Sequence, residues 1–285
     1  MTTEKQVYIV IPVFNRIDYT RACLKSIASQ TLKGIKTIVV DDGSTDGTPG
    51  IIAREFPEVN VLCTTGNLFW TASINIGIRY ALERGADYVL TLNNDTVATP
   101  DFMERMMYWA ERKPDALLGA LDIDIGTRKP YYGGELFHWP LSKSTYLLDI
   151  IGTDDRHGLH EVSLYPGRGL LIPRKVFEKV GQFDEQRLPH YIADYDFTQV
   201  ARRKGFKVYC NYDAHLFTYP EEGGDHKIRR RKTMRNFARH LFNIKGGGNL
   251  RNYTVYTLKN CPSWLVPMAL TTGYLRRIFG FWKTT

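Results

Sequence analysis

The sequence predicts an α/β protein, with a mostly parallel central sheet flanked by helices and a basic helical C-terminal extension. Three observations carry that expectation. Short apolar runs alternate with amphipathic stretches of helical length from Val7 to Cys210, the pattern of βα units on a parallel sheet. Acidic clusters follow two of the runs: Ile38-Val39-Val40 leads into Asp41-Asp42-Gly43-Ser44-Thr45-Asp46-Gly47-Thr48, and Tyr88-Val89-Leu90-Thr91-Leu92 leads into Asn93-Asn94-Asp95-Thr96. Beyond His226 the chain carries Lys and Arg but no Asp or Glu.

The elements follow in order. Val7 to Val13 reads as a buried first strand, and Asp18 to Gln30 as an amphipathic helix with Leu24 and Ile27 inward. Ile35 to Val40 is a second strand. Thr45 to Pro49 supplies cap and turn chemistry before a helix through Ala53 and Phe56. Val59 to Cys63, Ser73 to Arg84 and Asp87 to Leu92 read as strand, helix and strand, and Pro100 opens a helix to Arg112. After the run Ala116 to Leu121 the pattern changes. Tyr131 to Pro140 reads as aromatic-rich loop or hairpin, and Pro173 opens a helix to Val180. A helix from Asp194 to Lys204 and a strand from Lys207 to Cys210 close the α/β part. Arg229 to Ile244, Leu250 to Cys261 and Leu265 to Phe281 read as helices, broken by Gly246-Gly247-Gly248 and Pro262. The division falls at about residue 225, with 226–285 as the basic extension and the first part changing character near residue 121.

A chain of 285 residues that is 43% hydrophobic can bury one large core. Its apolar runs fall far short of the ~18 residues of a membrane span. Met1 to Gln6 is polar, so no secretory signal is expected. Cys23, Cys63, Cys210 and Cys261 form no C-x-x-C pair, and scattered reduced thiols in a cytoplasmic protein are expected. No G-x-G-x-x-G follows the first strand, which argues against a dinucleotide oxidoreductase.

The net charge of +8 conceals a division. Residues 226–285 hold thirteen Lys or Arg, leaving 25 basic against 30 acidic side chains in the rest. Such asymmetry points to an anionic partner for the tail. Arg229-Arg230-Arg231-Lys232, with Arg235 and Arg239, predicts a cationic helix face. Tyr274, Leu275, Ile278, Phe279, Phe281 and Trp282 among Arg276, Arg277 and Lys283 predict an amphipathic end. That composition suits peripheral binding at an anionic membrane surface, such as the inner face of the cell membrane. A solvated face or a homodimer interface is the plainer reading. Nucleic acid is not expected, because no recognised binding module accompanies the charge.

In an open parallel sheet, ligands bind beyond the carboxyl ends of the strands, so the acidic clusters can share one crevice. Each also has a purely structural reading. Asp41 to Asp46 is compatible with a capped turn before a helix, and Asn93 to Asp95 with a strand-end turn. Asp194 is compatible with a helix cap. Trp70 can stack on a ligand or fill core, and Arg168 can pair with an anion or sit in solvent.

Together the segments Val10-Ile11-Pro12-Val13-Phe14-Asn15-Arg16, Asp41 to Thr48, Gly66-Asn67, Asn75-Ile76-Gly77, Leu92 to Thr96, Gly181-Gln182-Phe183-Asp184-Glu185 and Ala193-Asp194-Tyr195-Asp196 resemble the family 2 glycosyltransferases of GT-A fold. The resemblance covers roughly residues 7 to 220. It implies inverting transfer of a sugar from a nucleotide-diphosphate donor to an acceptor hydroxyl, with a donor half to about residue 121 and an acceptor half over 122–225.

By the same resemblance Asp42 contacts the nucleobase, with Asp41 as alternative, and Pro12, Val13 and Asn15 line that pocket. Asn67, Trp70, Asn75, Asn93, Asn94, Arg168 and Gly169 border the donor. Asn93-Asn94-Asp95 stands at the family's D-x-D, so Asp95 is expected to hold Mg2+ or Mn2+, which favour oxygen ligands and phosphates, with His215 completing the site. Asp194 is the expected general base; Asp196, two residues on, points the other way on a helix. The chain departs from the family at Asn93, at Ala193 where Glu is usual, and at Val200 where Arg is common. Gly66 to Arg79 resembles rhamnosyltransferases, so dTDP-rhamnose or a UDP-hexose is the expected donor and a polyprenyl-linked or polysaccharide glycan the expected acceptor. A sugar nucleotidyltransferase and a non-catalytic nucleotide-sugar binder are the competing readings. The first lacks its Gly-rich loop, whose place Pro12 to Arg16 takes.

Overall fold

The computed structural model describes residues 5–283. The polar start at Met1 to Glu4 and the last two residues of the basic extension lie outside them. The first half runs β1 (Val7–Val13), α1 (Ile17–Ala28), β2 (Lys36–Asp41), α2 (Thr48–Glu55), β3 (Asn60–Cys63) and α3 (Phe69–Glu83). It continues with β4 (Tyr88–Thr91), β5 (Thr96–Ala98), α4 (Phe102–Arg112) and β6 (Leu117–Asp124). The second half holds β7 (Pro130–Tyr132), β8 (Glu135–His138), β9 (Lys143–Tyr146), β10 (Leu159–Glu161), β11 (Leu170–Pro173), α5 (Arg174–Val180), α6 (Ala193–Arg203) and β12 (Val208–Thr218). Four helices follow: α7 (Gly224–Arg229), α8 (Met234–Phe242), α9 (Leu250–Asn260) and α10 (Val266–Gly280).

The main sheet has the order β10-β12-β6-β11-β4-β1-β2-β3, with β5 added on β12 and β7 on β6. β1 pairs in parallel with β2 and β4, and β2 with β3. β11 runs antiparallel to both β4 and β6, so β6 shares the direction of β4, and β12 is parallel to β6. One edge of the sheet therefore gathers the carboxyl ends of β1, β2, β3, β4, β6 and β12 together with the amino end of β11.

Strand alternation divides the core in two, because successive side chains leave opposite faces. Ile9 and Ile11 pack with Leu24, Ile27, Phe102 and Met106 beneath α1 and α4. Tyr8 and Val10 pack with Ile74, Ile78, Val176 and Phe197 beneath α3, α5 and α6. Both faces of β1 are covered, as its unbroken apolar run requires.

The structure departs from the sequence expectation in four places. β5 follows the Asn93 to Asp95 turn, in a stretch to which the sequence assigns no element, and it forms because β12 offers a free edge. β12 runs on to Thr218, well past Cys210, with a register shift between Asn211 and His215. Asp213 within that irregularity accepts from the Trp109 indole at 2.9 Å and the Gly158 N–H at 2.9 Å. α3 begins at Phe69, a turn earlier than expected, because the Asp42 carboxylate accepts its first N–H groups. The helix expected over Arg229 to Ile244 begins only at Met234 as α8; Arg229 instead ends α7, residues 230–233 are non-helical, and Thr233 caps α8 through a 3.2 Å bond from Asn236 N.

Gly77 is where α3 touches the sheet. A Cβ there would overlap the Val10 methyl and meet Val40 at 3.2 Å. Gly77→Ala is expected to lower stability by about 1–3 kcal/mol through overpacking, read as a reduced urea midpoint at unchanged slope.

Candidate active site

The site is assembled along that one edge. After β1 the chain turns through two left-handed residues, Asn15 (φ 56) and Arg16 (φ 65). Asn15 N–H donates to Ser44 Oγ at 2.7 Å and its Oδ1 accepts from Thr45 N at 2.8 Å, which ties the end of β1 to the loop after β2. Pro12 and Val13 form the last turn of the strand, with Val13 O accepting from Asp42 N at 2.8 Å. Gly43 (φ 78) lies so close to Gly66 that a Cβ would stand 3.0 Å from the Gly66 backbone. Neither position tolerates a side chain, so the loops after β2 and β3 meet backbone to backbone.

The two aspartates after β2 divide their tasks differently from the sequence expectation. Asp42 is buried, and its carboxylate accepts from Leu68 N at 3.0 Å, Phe69 N at 3.1 Å and Thr64 Oγ1 at 3.1 Å. It caps α3, and these internal bonds take up most of its acceptor capacity. Asp41 is also buried; its Oδ2 accepts from Ser44 N at 3.0 Å, while Oδ1 has no partner. An orphaned buried oxygen of this kind calls for an external donor.

Trp70, in the first turn of α3, joins three further pieces. Its Nε1–H donates to Asn93 Oδ1 at 3.0 Å, and its ring meets Phe183 edge-on at 5.4 Å. The ring also covers Gly167 so closely that a Cβ there would overlap it. Gly167 N–H in turn donates to Asp194 Oδ2 at 3.0 Å. Trp70 is thus a wall between the Asn93 turn and the Asp194 helix rather than a free stacking platform.

Asp194 stands in the first turn of α6, half-buried, with Oδ1 also accepting from Tyr195 N at 2.9 Å. Burial pushes its carboxyl above the ordinary range, against the opposing pull of the Gly167 and Tyr195 N–H groups. The residue before the helix, Ile192, is β-branched yet left-handed at φ 75, a strain of about 1–3 kcal/mol of the kind concentrated at functional sites. Asp196 points away, as expected, and binds Lys259 at 2.6 Å and Asn260 at 2.6 Å.

Asp95 pairs with Arg16 at 3.3 Å, and the same guanidinium reaches Glu222 at 2.9 Å and lies over the Tyr19 ring. Beside it stands a pair that sequence reasoning only half found. Arg168 Nε and Nη2 both donate to Asp122 Oδ2, at 2.9 and 2.5 Å, in the fully buried end of β6. Asp122 Oδ1 has no partner. Burial pushes the Asp122 carboxyl up to about 6, against the lowering effect of Arg168, and neighbouring Asp95 adds to the rise. Asp122 lies in the run Leu121-Asp122-Ile123-Asp124 that ends β6, where an acidic residue again follows an apolar run. Gly169, at φ 74, donates its N–H to Thr91 O at 2.8 Å and closes the loop onto β4.

Four other expected residues fall elsewhere. Asn75 is buried, its amide bonded to Phe183 O, Phe183 N and Glu185, so it pins α3 to the Gly181–Glu185 loop instead of lining a donor pocket. Asn94 is buried and donates to Thr20 Oγ1 at 3.0 Å, holding the turn to α1. Asn67 is exposed, at φ 66, on the rim. His215 does not join Asp95. Thr96 pairs with Thr218 and Ala98 with Leu216, which leaves Asp95 and His215 at opposite ends of β5, ~13 Å apart along the strand at ~3.3 Å per residue. The His215 ring instead bonds Tyr212 O at 3.0 Å.

Among the described residues no group of three or more His, Cys, Asp or Glu is placed to hold a metal ion. Asp95 nevertheless fits a cation delivered with a diphosphate, since Mg2+ is commonly held by one or two carboxylates plus substrate phosphates.

The Asp42 cap sets up the rest, so its removal should be felt in the fold. Asp42→Ala is expected to cost about 3 kcal/mol, because it leaves buried N–H donors unpaired, with Asp42→Asn intermediate; urea unfolding followed by circular dichroism measures both.

Residues 8–181 match the family described as Glycosyl transferase family 2. An uncharacterised glycosyltransferase of Rickettsia typhi is 30% identical over 204 residues, covering 68% of this chain and 58% of its own length. The dTDP-rhamnosyl transferase RfbF of Shigella flexneri is 24% identical over 192 residues, 66% of this chain and 61% of its own. The chain thus spans little more than half of the length of the first of these relatives. The S. aureus TarS fragment 1–349 superimposes with a TM-score of 0.60 at 16% identity, over 97% of this chain and 72% of that one. A Pyrobaculum calidifontis mannosyltransferase solved with GDP-Man and Mn2+ gives 0.60 at 15%, over 95% and 74%. The fold is GT-A, and the chain belongs to glycosyl transferase family 2.

Proposed function

We propose that this protein is an inverting glycosyltransferase that moves a sugar from a nucleotide-diphosphate donor to a hydroxyl of a lipid-linked or polysaccharide acceptor in surface glycan synthesis. The observation that carries the reading is the Trp70–Gly167–Asp194 connection, which sets a carboxylate with a raised pKa beside the loop that bears Arg168. Residues to about 121 form the donor half and 122–225 the acceptor half.

Asp41, with its unpartnered Oδ1, accepts from the base N–H, while Pro12, Val13 and Asn15 border the ring. Arg168, fixed by Asp122, places its remaining N–H donors toward the diphosphate, where Arg presents fixed, planar recognition. In the reacting step the acceptor oxygen bonds to the sugar anomeric carbon as the bond from that carbon to the diphosphate oxygen breaks. The bonding electrons leave with the diphosphate, and the hydroxyl proton passes to Asp194. Arg168 then faces the charge that develops on the leaving group, the place where fixed charges lower a barrier most. A Mg2+ or Mn2+ ion held by Asp95, when bound, would add a further positive charge at the diphosphate. RfbF, a dTDP-rhamnosyl transferase by name, supports dTDP-rhamnose as the first donor to test, with UDP-hexoses next.

Asp194→Asn is expected to lower transfer on the order of 10²–10⁴-fold, the usual worth of a general base, with nucleotide-diphosphate affinity by calorimetry unchanged. Transfer at the native rate in that variant would remove Asp194 as the base, and release of pyrophosphate from a nucleoside triphosphate would favour a nucleotidyltransferase. Asp122→Asn is expected to raise the donor KM about tenfold, equivalent to about 1.4 kcal/mol. In the native enzyme the donor KM should rise as pH falls through about 6, where Asp122 takes up its proton and loosens Arg168; in Asp122→Asn that pH dependence should vanish.

A further inference from the structure

The C-terminal helix leaves one face without a protein partner. α10 buries Ala269 and Gly273 against α9, where a Cβ on Gly273 would overlap the Tyr253 ring. The opposite side carries Met268, Leu275, Ile278 and Phe279, with Trp264 in the turn just before the helix and Trp282 just after it, and all but the half-buried Ile278 are exposed, Trp264 by 76% and Phe279 by 62%. At 3.6 residues per turn Met268, Leu275, Ile278 and Phe279 fall within roughly a 100° arc of α10. Thr271, also exposed, is the one polar side chain inside the arc.

Cations frame this stripe. Arg276 is exposed at its flank and donates to Leu141 O at 2.7 Å, which brings exposed Leu141 of the β8–β9 turn to the same border. Arg229 donates to Gly280 O at 3.1 Å and Lys232 to Phe281 O at 2.6 Å, so these two cations of the predicted helix face lie against the C-terminal end of α10. Phe237 meets Phe281 and Trp282 there, each at 5.4 Å. No Asp or Glu occurs from His226 to the end of the sequence.

We infer that this face of α10 is a docking surface for an anionic lipid bilayer, lying in the headgroup boundary with tryptophans at both ends. Indole rings favour that boundary, and flanking cations favour anionic headgroups. Among the described residues no helix is long and apolar enough to cross a membrane, so the helix lies on the bilayer. A second copy of the chain is the poorer occupant. Pairing two such helices would set Arg276 and Lys283 against the same cations with no acidic residue in the segment to offset them. The inference uses no step of the sugar-transfer chemistry. It adds that the acceptor half is held at a membrane surface, because Ser142 of the β8–β9 turn donates to Ala269 O at 2.8 Å.

The test is co-sedimentation of the full chain with phosphatidylcholine vesicles, with and without phosphatidylglycerol, for the native protein and a Leu275→Ser, Phe279→Ser double variant. The native chain should bind only the phosphatidylglycerol vesicles, more weakly at high salt, and the double variant at least tenfold less. Circular dichroism and UDP or dTDP binding without vesicles should be the same for both, which separates failure here from failure of the sugar-transfer reading. An Arg276→Glu variant should lose binding while keeping the apolar stripe. Absence of native binding, equal binding by the variants, or a native dimer in light scattering that the double variant dissolves would overturn the inference.

Discussion

One buried carboxylate organises this site. Asp42 accepts from Leu68, Phe69 and Thr64, and thereby fixes where α3 begins. Everything downstream depends on that starting point. Were α3 to begin a turn later, Trp70 would lie in loop, its indole would leave Asn93, and Gly167 would lose the wall that holds its N–H on Asp194. Hydrogen bonds to a carboxylate are roughly twice as strong as neutral ones, and buried donors without it would be costly. The result is a chain of contacts from β2 to α6 through segments more than a hundred residues apart in sequence.

Charge is arranged on the same principle. Two ion pairs, Arg16 with Asp95 and Arg168 with Asp122, stand at neighbouring strand ends and differ in kind. The first is partly exposed, and its guanidinium is shared with Glu222. The second is anchored in the fully buried end of β6, where losing one partner would leave an uncompensated charge.

Much of the fold was legible in the sequence. The apolar runs of β1, β2 and β4 and the caps that follow them read directly, because strands covered on both faces cannot tolerate polar interruptions. β5 and the long β12 were not legible. Their pairing is made across the sheet by residues distant in sequence, and Asp213 inside β12 reads locally as a turn. The site was legible in composition more than in role. Asp41, Asp42, Asn93, Asp95 and Asp194 do stand on one edge, but sequence cannot tell a carboxylate turned outward from one capping a helix. Asn75 and Asn94 are of the same kind, since the Asn75 amide is held by Phe183 and Glu185 and the Asn94 NH2 donates to Thr20. Asp122 was passed over because its partner, Arg168, is brought to it by the antiparallel β11, which no local pattern announces. The Arg229 to Lys232 run reads as a helix face, yet its first and last side chains, Arg229 and Lys232, clamp the end of α10.

The most direct measurement of the account is a crystal structure with UDP or dTDP and Mn2+. The account predicts base N–H at Asp41 Oδ1, diphosphate oxygens within hydrogen-bond reach of Arg168, the cation on Asp95, and the Asp194 carboxylate facing the open side of the terminal phosphate. A nucleotide seated at the opposite edge of the sheet, or one whose diphosphate leaves Arg168 and Asp194 facing empty solvent, would contradict it.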